Sequence, residues 1–384
     1  MKKQMITGLL ITAIATNSQM FVSAYEARRA ESNPTSVQSS MIPNTVSNSI
    51  RLLGLQHPIA QAYGLVILQQ PDVKVEVMSS LTTHQKFARE NVREWMDEYT
   101  PKLIYLNQDM MRFSTRFNSY YSKIYDLAEN ENGNKQAKTD FIRAFSKLQD
   151  HGKTVQENME QTLLELNQFN SVLMKDSEEL SKSAEVAIQS LKGEKGDIVQ
   201  LRAEIKKVQE EIQIEITKIL NRPKEIIKGS INIGKQIFTI SSTAAQTKTL
   251  DFVSIGSLSE ELINTSDSQA KGSTVIIQQK QKELNPLIQK LLDSQIQATE
   301  ITVIEDQVKG FRELIKRQIN TLEYLVNDWR ALNGTMNQMK IDFDTGVTDS
   351  QALQKQLIKL KNINDEMKKQ TKQFENFVTN VAVI

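Results

Sequence analysis

Apolar residues return at spacings of three and four over most of this chain, the period of a helix that buries one stripe. Ile198, Leu201, Ile205, Val208, Ile212, Ile216 and Ile219 form one such stripe. A longer one runs from Leu284 through Leu291, Ile301, Ile304, Val308, Phe311, Ile315, Ile319, Leu322, Leu325, Trp329 and Leu332 to Met336 and Met339. It predicts one unbroken helix over Leu284–Lys340, about 57 residues or ~85 Å at 1.5 Å per residue, too long for a sphere. Earlier stripes predict a helix from Asn44 kinked at Pro58, a second over Thr82–Asn130 bent by Pro101, and a third over Gln136–Leu191 ended by Gly193–Gly196. After a turn at Asp344–Asp349, Leu353, Leu357, Leu360, Ile363, Met367 and Phe374 mark the last helix.

Between Gly229 and Gly272 the period changes. Ile231 and Ile233, Phe238 and Ile240, Leu250 and Phe252, and Val253 and Ile255 stand two apart, and the small polar stretch Ser241–Lys248 separates them. This predicts a β-hairpin, or β-tongue, with one apolar face, entered and left through helices at Glu260–Ile263 and Thr274–Gln281. The alternative is that the hairpin only caps the bundle and buries its own apolar face. The expected fold is mainly α: an elongated antiparallel bundle of five or six long helices with an inserted head carrying the hairpin. The expected organisation is a signal peptide over 1–24, a flexible leader over 25–43, a helical tail over 44–228 and 273–384, and the head over 229–272.

Composition supports this and narrows the function. The 47 Lys+Arg balance 46 Asp+Glu, so no global field recruits nucleic acid or an anionic membrane. Lys2 and Lys3, the apolar run Met5–Ala15 and Val22-Ser23-Ala24 read as a secretory signal cleaved after Ala24. With no cysteine, an exported chain has no disulfide and no thiol for a lipid, so stability rests on apolar burial and release from the cell is expected. The charge-free stretch Leu52–Pro71 contains Gln56, His57, Pro58, Gln61, Gln69 and Gln70, which argue for a buried bundle helix and against a membrane span.

Catalytic chemistry has no visible seat. His57, His84 and His151 lie on three separate helices with no ligand partner at metal spacing, so neither a metal nor a cofactor is expected. Gly229 to Lys235 matches GxxxxGK, but Gln236 stands where a phosphate loop needs Ser or Thr, and a helix precedes where a strand is required, so no nucleotide is expected. Gly229 and Gly234 are better read as hinges, with Gly256 and Gly272 at the other end of the head. Adjacent acids such as Glu178 and Glu179, or Glu210 and Glu211, point about 100° apart on a helix and read as solvated faces. The cluster Phe113, Phe117, Tyr120, Tyr121 and Tyr125 lacks a basic surround and reads as core.

Several strings carry a family resemblance: Asn221–Gln236 (NRPKEIIKGSINIGKQ), Thr247–Gly256 (TKTLDFVSIG) and Ala62–Asp72 (AYGLVILQQPD). Val92–Trp95, Phe117–Lys123 and Phe374–Val381 extend it over essentially the whole chain. On these residues the chain resembles the tripartite non-haemolytic enterotoxins of the Bacillus cereus group, within the cytolysin-A-like α-pore-forming toxins. The resemblance implies a secreted, non-enzymatic component that permeabilises host cell membranes with two companion proteins. Ile231, Ile233, Ile237, Phe238, Ile240, Leu250, Phe252, Val253 and Ile255 would then contact lipid or partner. Lys235, Lys248 and Asp251 interrupt the long hydrophobic head segment seen in many such toxins, which disfavours a helical span there. The competing expectation is a secreted coiled-coil protein, structural or adhesive, without lytic activity.

Overall fold

A computed structural model describes residues 38–129, 135–191, 195–220, 235–239, 251–255 and 268–379. In chain order these form α1 (Gln38–Gln69), α2 (Leu81–Glu94), a π turn (Trp95–Tyr99), α3 (Thr100–Glu129), α4 (Lys135–Ser190), α5 (Lys195–Leu220), β1 (Lys235–Thr239), β2 (Asp251–Ile255), α6 (Ser268–Ser294), α7 (Ile296–Asp344) and α8 (Ser350–Thr379). Five of the helices close a ring: α4 packs on α7, α7 on α1, α1 on α8, α8 on α3, and α3 back on α4. Each therefore needs an apolar stripe wide enough for two neighbours, which the three-and-four spacing supplies.

The ring's core is aromatic at several levels. Phe141 meets Phe343 edge-on with centroids 4.6 Å apart, Phe113 meets Trp329 at 5.2 Å, and Trp95 meets Phe311 at 5.9 Å. The aromatic run of α3 divides between core and rim: Phe113 and Phe117 are buried, while Tyr120, Tyr121 and Tyr125 are partly buried against the same core. Polar side chains fix register across it. Trp329 Nε1 donates to the Gly152 carbonyl at 2.8 Å, Ser49 Oγ to Asp328 at 2.8 Å, and Asn107 Nδ2 to the Thr371 carbonyl at 3.0 Å. A Cβ at Gly152 would stand 2.4 Å from Asn333 Oδ1, so any side chain there must displace the Asn333 amide.

Two expected helix boundaries move. Near Pro101 the Thr100 N–H reaches back five residues to the Trp95 carbonyl. Proline supplies no N–H for the ordinary ladder, and the extra residue of a π turn takes up the mismatch. α1 begins at Gln38, inside the stretch 25–43 expected to be irregular, and runs on through Pro58. Propagation outward from a packed helix costs far less than nucleation, so a Ser- and Asn-rich flank follows the part that packs.

The larger correction concerns the predicted continuous helix over Leu284–Lys340. It is broken at Gln295, whose backbone is extended (φ −160°, ψ 106°) and whose side chain accepts from the Gln297 N–H as the N-cap of α7. No glycine or proline marks the break; α6 instead contains its proline, Pro286, nine residues earlier.

Candidate functional site: the head and its seat on the bundle

α5 and α6 pack on each other along their length and carry the two strands between them. Lys280 of α6 ties the pair together, bonding Glu211 of α5 at 2.8 Å and Glu283 of its own helix at 2.7 Å. β1 and β2 run antiparallel in the register Lys235↔Ile255, Ile237↔Val253, Phe238↔Phe252 and Thr239↔Asp251. Ile231, Ile233, Ile240 and Leu250, the hinges Gly229, Gly234 and Gly256, and the expected helix at Glu260–Ile263 lie outside the described residues. Gly272 lies inside α6, with nothing within 4 Å of the position a Cβ would take.

The arm is folded back on the bundle. A second apolar core gathers Ile198, Ile205, Val208 and Ile212 of α5 with Ile277, Leu284, Ile288 and Leu291 of α6, Leu180 and Ile188 of α4, Ile301 and Ile304 of α7, and Leu55 of α1. β2 also lies against α1. At this seat every residue of α7 from Ile301 through Gln307 is buried. A helix has no solvent side over such a run, so its polar residues must find partners inside.

They find them mostly on α5. Arg202 donates from Nε to Thr302 Oγ1 at 3.0 Å and from Nη2 to Glu305 Oε2 at 2.6 Å. Lys309 closes on the other oxygen of Glu305. Gln209 Nε2 reaches Asp306 Oδ2 at 3.4 Å, and Tyr63 of α1 reaches the Asp306 carbonyl at 3.4 Å. Gln307 donates to Gln70 at 3.1 Å, anchoring the end of α1. Both cations are thus engaged by Glu305, and among the described residues none closes a salt bridge to Asp306. Burial pushes the Asp306 carboxyl up to about 8, helped by the Glu305 charge; Lys309, Arg202 and the Gln209 amide pull the other way without prevailing.

The sequence reading missed this seat. Glu305 and Asp306 look like any adjacent acids on a helix face. The available signal was the four residues before them, Ile301-Thr302-Val303-Ile304, which put β-branched side chains on every side of one turn and so mark a helix enclosed all round.

Among the described residues no group of three or more His, Cys, Asp or Glu could hold a metal, and no helix is long and apolar enough to cross a membrane. His57, His84 and His151 stand apart on α1, α2 and α4.

The described residues thus form a helical bundle with a folded-back helical arm that carries a two-stranded sheet. The structure is similar over most of its length to soluble SmhB of the tripartite α-pore-forming toxin of Serratia marcescens (TM-score 0.67, 13% identity, covering 90% of this chain and 94% of that one). It is similar to the HblL1 toxin component of Bacillus cereus (TM-score 0.65, 12% identity, 89% and 98%). It also resembles soluble AhlB of the tripartite toxin of Aeromonas hydrophila (TM-score 0.62, 15% identity, 88% and 100%), and the AhlB pore less closely, at 0.55. Residues 40–215 match the model of the Bacillus haemolytic enterotoxin (HBL) family. A comparison with curated protein sequences gave no significant match.

Proposed function

We propose that this chain is a secreted component of a tripartite pore-forming enterotoxin, acting with two companion proteins to permeabilise host cell membranes. Its sequence strings resemble the A component of the non-haemolytic system. The observation that carries the proposal is the likeness, over 90% and 88% of this chain, to soluble components of two tripartite toxins, together with an arm seated on the bundle by polar side chains. In this reading the structure is the closed, water-soluble state. Ile231, Ile233, Ile237, Phe238, Ile240, Leu250, Phe252, Val253 and Ile255 meet lipid or a companion once the arm is released, and Gly229, Gly234 and Gly256 give the head its freedom, whereas Gly272 is held within α6. The bundle supplies the assembly surface, and no step requires a catalytic group or a cofactor.

The test exploits the absence of native cysteine. Arg202→Cys and Thr302→Cys place a thiol on each side of the seat, to be joined by a reducible bifunctional crosslinker. Leakage from cultured epithelial cells, with all three components present, is expected to vanish in the joined protein and return on reduction. Undiminished leakage from the joined protein would refute release of the arm. A chain that supports no leakage with any companions would instead be the structural or adhesive protein.

A further inference from the structure

The seat of the arm is chemically unusual. An interface meant to stay closed is best sealed by apolar side chains, since a buried ion pair repays its desolvation poorly. Here, beside the apolar core they share, α5 also meets α7 through Thr302, Glu305 and Asp306, flanked by Lys309, with Arg202 and Gln209 opposite. These residues recur on α7 at spacings of three and four, so they form one face, and that face is water-compatible once uncovered. Among them Asp306 is singular: 4% exposed, hydrogen-bonded by a neutral amide, beside a second carboxylate that engages both nearby cations.

We infer that the α5–α7 contact around Asp306 is a proton-controlled latch, closed while Asp306 is protonated and weakened when it ionises. The inference rests on the reading of the arm as a releasable element and names what regulates its release. The groups that act on Asp306 are Arg202 and Gln209 from α5, and Glu305 and Lys309 from α7; the Tyr63 hydroxyl of α1 donates to its backbone carbonyl. A protonated Asp306 accepts from Gln209 and presents no net charge. An ionised one is a buried anion whose nearest attractive charges are held by Glu305.

The sign follows from linkage. The closed seat raises the Asp306 carboxyl to about 8, whereas in an open, hydrated arm it titrates at the ordinary carboxylate value of about 4. The latch is therefore tightest below about pH 4, and the opening constant rises up to about tenfold per pH unit until about pH 8, where it levels. Between about pH 5 and 7 the expected gain in opening is roughly a hundredfold.

The experiment uses the full-length chain alone. Spin labels at Lys207→Cys on α5 and Glu323→Cys on α7, both exposed positions, report the separation of arm and bundle. The expected result is a single short distance near pH 5, a growing long-distance population towards pH 8, reversal on re-acidification, and an Asp306→Asn variant that stays closed throughout. Hydrogen exchange in wild-type α5, accelerating over the same range relative to α3, gives a second reading that does not depend on the variant folding. A wild-type distance and α5 exchange both unchanged from pH 5 to 8, or the same opening in Asp306→Asn, would overturn the latch. Because no lysis is measured, this failure is separable from failure of the toxin reading.

Discussion

The acid response of the bundle itself is expected to run through His57, in the opposite sense to the latch. His57 sits on α1 at 1% exposure, 5.5 Å from the Trp95 ring and 6.4 Å from that of Phe374. Among the described residues neither ring nitrogen has a hydrogen-bond partner, and burial lowers its pKa from 6.5 to about 4. A depressed histidine favours the neutral folded state; the stability it protects is whole above 6.5 and is lost as pH falls towards 4. The full loss is about 3.4 kcal/mol at 1.36 per unit, and about 2 kcal/mol of it is already gone near pH 5. The perturbation is His57→Leu, which fills similar space and cannot charge. Guanidinium unfolding followed by far-ultraviolet dichroism at about pH 7.5 and 5 should show wild type losing about 2 kcal/mol more than the variant. Asp306 and the surface carboxylates are common to both proteins and cancel in the difference. Parallel pH dependences would refute the reasoning, since they would mean that the imidazole is hydrated or paired in the folded protein.

Other consequences are more local. Gly152→Ala must push Asn333 off its 2.9 Å bond to Gln156 and is expected to cost about 1–3 kcal/mol; a chemical denaturation midpoint checks it. Trp329→Phe loses the bond to the Gly152 carbonyl and should cost about 1 kcal/mol, with a non-additive double mutant because the two residues share one contact. Gly346, at φ 78° in the turn before α8, has open space around it, so Gly346→Ala should cost only backbone strain, about 1 kcal/mol, seen as a small drop in thermal midpoint without change in helix content.

Most of the bundle was legible because its stripes are long. α4 buries Phe141, Phe145, Leu148, Val155, Met159, Leu166, Phe169, Leu173 and Leu180 at the expected spacing. Leu353 to Phe374 do the same for α8. The break at Gln295 was not legible, since Leu291, Leu292, Ala298 and Ile301 are buried on both sides of it and no residue there opposes helix. Nor was the seat around Asp306, because a carboxylate on a helix reads as solvated until a second helix is known to cover it.

By itself, then, the sequence determined local periodicity: helices with one or two apolar stripes, and a segment of strand period between Gly229 and Gly272. Those follow from side-chain geometry within a few residues of each position. Tertiary structure decided which way the arm turns and what its buried charges touch. Both depend on groups a hundred or more positions apart, such as Arg202 and Glu305, whose energies exist only once water has been excluded between them.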